Sequence, residues 1–345
     1  MKRTFVIGDI HGCYDELIEL IDQIGLRDED WLVSVGDILD RGGKSRDVYH
    51  YFKNRPNAKV LIGNHERKHL KRILSYSQEI VKVQFAEEYP SLLQWLRGLD
   101  YYFESDEAII VHAAFEHDRS LDEQKEAVLT GSVSGEAYLQ RKYGPGTHWS
   151  DYYAGEKAVI YGHRVVGDEP LIKNNTYGLD TGACHGGYLT AIELPGFVIH
   201  RVKSHADHWK LEKRAWQVPV LKARDWGNME ISAIEKQMTK FDQINQEDVK
   251  AFFASLKTQL NSLDAALVAI NERIHDLTAD LSAAHGDDFN KIASQFKHGI
   301  LLIRCRKNIL RENEPRKQLN TPKKIVAMAR QLGIFLTFGP VASGS

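Results

Sequence analysis

The chain has 345 residues, room for one large domain and an appendage, with 43% hydrophobic and 27% charged residues. That balance belongs to soluble globular proteins, and no run reaches the ~18 apolar residues a membrane span needs. Three scattered cysteines (Cys13, Cys184, Cys305) form no CxxC pair and suggest no disulfide framework. The start MKRTFVIGDIHG reads as one short strand rather than a signal peptide, so a reducing cytoplasm is the expected compartment.

Net charge is −2 but uneven: residues 1–203 carry 24 Lys+Arg against 31 Asp+Glu, and residues 204–345 carry 21 against 16. The asymmetry predicts two parts with different surroundings. In the first part, β-branched runs end in Gly, Asp, Asn or His: Thr4–Ile7, Trp31–Val35, Lys59–Ile62, Ala108–Val111 and Ala158–Tyr161. Tyr188–Leu194 and Phe197–Val202, joined across Pro195 and Gly196, predict a closing hairpin. Strands alternating with helical stretches predict an α/β architecture, and the hairpin predicts mixed sheets.

From Ser204 a connecting stretch with Trp209, Trp216 and Trp226 leads to a heptad seam: Val249, Phe253, Leu256, Leu260, Leu263, Leu267, Ile270, Ile274, Leu277 and Leu281. A turn at His285–Asp288 and a second helical pattern over Phe289–Leu310 predict a helical hairpin, with a dimerising coiled coil as the alternative. Thr321-Pro322 opens a last short helix. The expected organisation is a catalytic domain over 1–203, a linker over 204–244, a helical domain over 245–338 and a disordered tail over 339–345. Residues 291–330 hold 11 Lys+Arg against Glu312 and Glu314, a possible footprint for nucleic acid, with a solvated basic helix face at least as good a reading.

The chemistry lies at the strand ends: Asp9 and His11 in GDIHG, Asp37 in GDILDRG, Asn64 in GNHE, His112 in VHAAF and His163 in YGHRVV. Mixed carboxylate, imidazole and amide donors suit Mn²⁺, Fe or Zn²⁺ rather than a thiolate site. Preceding glycines permit tight turns directly after a strand, letting the donors converge. Cys13 and Cys184 are expected as small half-buried side chains. His185 is expected at the surface, and His117, His200, His205 and His208 without a metal role.

The ordered set GDIHG, GDILDRG and GNHE, followed by histidines in VHA and GH contexts, resembles the phosphoprotein phosphatase family of metallophosphoesterases, most closely its bacterial and phage branch. YGLDTGACHGGYLTAIEL resembles that branch's closing segment, and the likeness covers roughly residues 1–203. It implies the calcineurin-like fold, mixed sheets flanked by helices, and two divalent ions, Mn²⁺ first. Asp9 and His11 would bind the first ion, Asp37 would bridge, and Asn64, His112 and His163 would bind the second. His65 would be the general acid with Asp40 as its partner, and Arg41, beside Asn64, would bind phosphate. Two metals about 3.5–4 Å apart can convert a bridging water to hydroxide for direct attack.

The resemblance favours a phosphoprotein (Ser, Thr or Tyr) phosphatase, because DRG and GNHE stand where related diadenosine-tetraphosphate hydrolases typically show ARG and GNHD. A nucleotide hydrolase or phosphodiesterase is the alternative, and an inert scaffold a weaker one. Two departures bear on substrate. Ser132 stands where the branch carries a second phosphate-binding Arg, with Arg141 or Arg164 as possible substitutes. Ala114 replaces a Gly, and Glu116 and Asp118 after it predict an acidic mouth that disfavours multiply anionic substrates.

Overall fold

The computed structural model describes residues 2–241, 246–297, 299–310 and 314–336. The tail 339–345 and, from the basic segment, Arg311 and Glu312 lie outside them. The chain divides into two compact units, Met1–Trp216 and Gln217–Ser345.

The first unit holds ten strands: β1 (Thr4–Ile7), β2 (Trp31–Ser34), β3 (Ala58–Val60), β4 (Tyr102–Glu104), β5 (Ala108–Val111), β6 (Ala158–Tyr161), β7 (Leu171–Lys173), β8 (Thr176–Gly178), β9 (Tyr188–Leu194) and β10 (Val198–Lys203). They form two mixed sheets, ordered β10-β9-β1-β2-β3 and β4-β5-β6-β8-β7. The pairs β1/β2 and β2/β3 are parallel, as are β5/β6 and β6/β8. The β9/β10 hairpin is antiparallel, as expected.

Side-chain alternation builds the layers, because successive residues of a strand face opposite sides. Val6 and Val33 of the first sheet share a buried cluster with Ala108, Ile110, Ala158 and Ile160 of the second. Their neighbours Phe5 and Ile7 face the other way and pack with Leu17 and Leu20 of the helix Tyr14–Ile24. On the far side, Val111 and Val159 pack with Trp149 and Tyr153. Two sheets therefore face each other with outer layers on both sides. Each fully buried Val, Leu or Ile contributes roughly 1.5–3 kcal/mol.

Three strands were not expected from sequence. β4, β7 and β8 are only three residues long, and the β7/β8 turn uses Asn174 and Asn175 at φ 46° and 56°, a left-handed pair that Asn tolerates.

In the second unit one helix runs from Glu247 to His285. Its seam residues Val249, Leu256, Leu260, Leu263, Leu267, Ile270 and Ile274 are buried in one cluster with Phe289, Leu301, Leu302, Ile325 and Met328. The apolar face is thus covered within the unit. The return arm is not the continuous helix over Phe289–Leu310 that its pattern predicts. It is broken into Phe289–Ala293 and Gly299–Arg306, with Gln295 N and Phe296 N bonding carbonyls three residues back. Such i→i+3 bonds tighten and end an α-helix. Arg316 of the basic segment pairs with Glu235 and Asp264. No described helix is long and apolar enough to cross a membrane.

Candidate metal centre and active site

The C-terminal ends of the parallel strands deliver every sequence-predicted site residue to one place. Asp9 follows β1, Asp37 follows β2, Asn64 follows β3, His112 follows β5 and His163 follows β6. Asp37 is the hub: its Oδ2 lies 3.7 Å from His11 Nε2, 4.0 Å from His65 Nε2 and 3.6 Å from His112 Nε2. Asn64 Oδ1 lies 3.2 Å from His112 Nε2 and 3.1 Å from His163 Nδ1. Asp9 Oδ2 stands 3.9 Å from His11 Nε2.

The backbone is strained at these residues. His11, Asp37, Asp40, Arg41 and His163 all have positive φ, between 47° and 74°. Non-glycine residues adopt this region at a cost of order 1–3 kcal/mol each, a pattern concentrated at functional sites. Close packing explains two motif glycines. A Cβ on Gly63 would fall 2.0 Å from Asp37 Oδ1, and one on Gly162 would fall 2.0 Å from Asp9 Oδ1.

The donor set fits two cations. Asp9 Oδ2 is buried and accepts no hydrogen bond, although a carboxylate oxygen in the interior needs a partner. Two clusters converge within 4.8 Å, His11–Asp37–His65 and Asp37–His112–His163, so Asp37 belongs to both. Burial, with Asp180 and Asp37 nearby, pushes Asp9 well above the carboxylate range. Burial pushes Asp37 up to about 6. Burial also drives His11 and His112 well below the usual imidazole value, leaving them neutral and able to ligate. This concentration of buried acids and neutral imidazoles is what bound cations would stabilise.

Asp40 and Arg41 flank His65 beside these clusters. Asp40 Oδ2 bonds His65 Nδ1 at 2.6 Å, and Asp40 Oδ1 bonds His69 Nε2 at 3.1 Å. Gln78 also donates to Asp40. Burial opposes the charge on Asp40, but His69 and His65 outweigh it and hold the carboxyl well below its ordinary range. Burial lowers His65, and Asp40 partly offsets that by favouring the charged ring. Arg41 reaches across, with Nη1 3.1 Å from His11 Nε2 and Nη2 3.1 Å from His65 Nε2. Its planar fork spans His11 and His65, two members of the first cluster.

Several supporting residues escaped sequence reasoning. Glu66, quoted in GNHE without a role, accepts the N–H groups of Asp37 (2.8 Å), Ile38 (3.0 Å) and Gly63 (3.0 Å), tying two motif loops together. Burial and Asp37 push it up to about 8. Glu136 bonds His163 Nε2 at 3.0 Å, on the ring edge opposite Asn64. Asp180, in the quoted LDTG segment, is buried beside Asp9. Only the spacing of YGLDTG could have hinted at it.

Ser132 caps the helix Val133–Tyr143 by accepting from Gly135 N, while Arg141 and Arg164 are exposed. The two acids expected to form an acidic mouth, Glu116 and Asp118, are both paired with cations. Glu116 is buried and bonded by Lys142 (2.8 Å), Tyr138 (2.8 Å) and Arg119 (3.2 Å), and Lys142 also pairs with Asp118. The carboxylates are neutralised because the helix Val133–Tyr143 brings Lys142 over them. Both Cys13 and Cys184 are buried, and burial pushes Cys184 up to about 12 although Arg41 Nη1 stands 4.0 Å away. His185 is exposed.

Paired donor clusters at the parallel-strand ends of two facing mixed sheets define a metallophosphoesterase. The chain belongs to the calcineurin-like phosphoesterase family, whose model matches residues 2–229. It is 30% identical to the bis(5'-nucleosyl)-tetraphosphatase PrpE (asymmetrical) of Halalkalibacterium halodurans over 230 residues, 55% of this chain and 89% of that protein. The protein of the same name from Geobacillus thermodenitrificans is 30% identical over 238 residues, 59% of this chain and 95% of that one. A crystal structure described as a putative diadenosine tetraphosphatase matches at 25% identity with a TM-score of 0.49, over 59% of this chain and 94% of its own.

Proposed function

We propose that this metal-dependent phosphoesterase hydrolyses a nucleotide polyphosphate, with dinucleoside tetraphosphates as the substrate class. The observation that carries the chemistry is the convergence of His11, His65 and His112 on Asp37 beside the Arg41 fork. The curated relatives named as tetraphosphatases support the substrate class. The neutralised Glu116 and Asp118 remove the sequence-based objection to a multiply charged substrate.

In this reading Asp9, His11 and Asp37 would hold one divalent ion, and Asp37, Asn64, His112 and His163 would hold the other, Mn²⁺ being the first choice. When bound, the pair supplies Lewis acidity and activates water for direct attack. Arg41 orients the phosphoryl oxygens through its planar fork, beside Asn64. His65 donates a proton from Nε2 to the leaving oxygen, while Asp40 holds Nδ1–H and favours the charged ring.

Incubating the Mn²⁺-reconstituted protein with diadenosine tetraphosphate and separating the nucleotides tests this. A mono- and a triphosphate are expected if cleavage is asymmetrical as in the relatives' name. Absence of metal-dependent turnover would overturn the reading. A phosphoprotein phosphatase is the second reading, favoured by the DRG and GNHE motifs that supply Asp40, Arg41 and Glu66.

A further inference from the structure

A second set of metal-type donors gathers in the segment after His11. Cys13 immediately precedes the helix Tyr14–Ile24, Glu16 lies in its first turn, and His208 opens the helix His208–Ala215 after β10. Cys13 Sγ, a Glu16 carboxylate oxygen and a His208 ring nitrogen all lie within 4.8 Å of one another. Cys13 is 1% exposed and Glu16 fully buried.

The two oxygens of Glu16 are used unequally. Oε1 takes His208 Nε2 at 2.6 Å, His205 N at 2.9 Å and Ser204 Oγ at 3.2 Å. Oε2 is buried with no hydrogen-bond partner. Burial works against ionising Glu16, yet the bonds from His208 and His205 hold it at about 2. The interior thus contains a carboxylate with one bare oxygen next to a thiol and an imidazole. A buried unsatisfied acceptor calls for a partner such as an ion.

We propose that Cys13, Glu16 and His208 form a structural Zn²⁺ site, separate from the catalytic pair. One sulfur, one nitrogen and one oxygen donor suit Zn²⁺, whereas Mg²⁺ and Ca²⁺ take oxygen ligands. His205 stands outside this trio, its Nε2 bonded to Glu19 Oε2 at 2.9 Å. Binding releases the Cys13 thiol proton. The ion staples the segment Ser204–His208 to the helix that follows the GDIHG loop.

Chelator-stripped full-length protein is titrated with Co²⁺ and followed by absorption. The catalytic donors are oxygen and nitrogen, so thiolate-to-cobalt charge transfer in the near ultraviolet reports cysteine ligation alone. The band is expected in the wild type and in Cys184→Ser, lost in Cys13→Ser, and shifted to higher Co²⁺ concentration in His208→Ala. No band despite visible cobalt absorption, or a band that survives Cys13→Ser, overturns the proposal and leaves a plain Glu16–His208 ion pair. Should Cys13→Ser fail to fold, X-ray absorption on the Zn²⁺-loaded wild type decides: a sulfur in the first shell supports the site, and only light donors overturn it.

Discussion

Asp40 holds His65 through a 2.6 Å bond from Oδ2 to the ring Nδ1, and takes His69 Nε2 on its other oxygen at 3.1 Å. The pairing fixes which His65 nitrogen faces Arg41 and the metal-type donors. Asp40→Asn is expected to lower kcat by ~10²–10⁴-fold, the range of general acid catalysis, with little change in KM. Steady-state kinetics check this, and an unchanged kcat would rule out a part for Asp40 in proton transfer.

The leaving group separates an acid role from a merely structural one. A phosphate leaving group needs less proton assistance than an alkoxide. His65→Asn should therefore cost at least about tenfold more on an alkyl phosphate than on a polyphosphate or p-nitrophenyl phosphate. Equal losses on all three would contradict the acid role.

A proton and a metal ion would compete for Asp37. Asp37 is raised from 3.8 to about 6 by burial, so without metal the folded chain binds this proton more tightly than the unfolded chain does. That proton adds stability that is complete below 3.8 and gone above about 6, whereas a cation requires the carboxylate ionised. The rise in Tm on adding Mn²⁺ should therefore grow as pH increases through about 6. Scanning calorimetry with Mn²⁺ or with chelator measures it, and a rise independent of pH would count against Asp37 as a ligand.

Glu66 joins the loops after β2 and β3. Glu66→Ala strands the N–H groups of Asp37, Ile38 and Gly63, at roughly 1–3 kcal/mol for each unsatisfied group. A marked fall in the urea midpoint is expected, together with weaker metal binding. An unchanged midpoint would show that water replaces the carboxylate without loss.

Glu136 orients His163 from outside the donor cluster, as carboxylates behind metal-binding histidines do. Glu136→Ala should weaken binding of one of two Mn²⁺ ions by about 10–100-fold and spare the other. Isothermal titration resolves the two, and equal weakening of both would refute the assignment.

Much of this was legible because the donors follow strands directly. Once GDIHG, GDILDRG and GNHE are placed at strand ends, parallel pairing of β1, β2 and β3 forces Asp9, Asp37 and Asn64 together. Glu136, His69 and Gln78 were not legible, since each meets its partner only through packing of separate helices. Lys142 reversed the reading of Glu116 and Asp118 for the same reason: a sequence shows charges along the chain, not across it. The break at Ser294–Phe296 lay hidden under an apolar pattern that short i→i+3 turns can also satisfy.

The central claim is settled most directly by kcat/KM for diadenosine tetraphosphate and for a phosphopeptide, measured on one Mn²⁺-loaded preparation beside His65→Asn. The tetraphosphate value is expected to be at least about tenfold higher, a margin of ~1.4 kcal/mol in transition-state stabilisation. A phosphopeptide turned over faster than the tetraphosphate would contradict it.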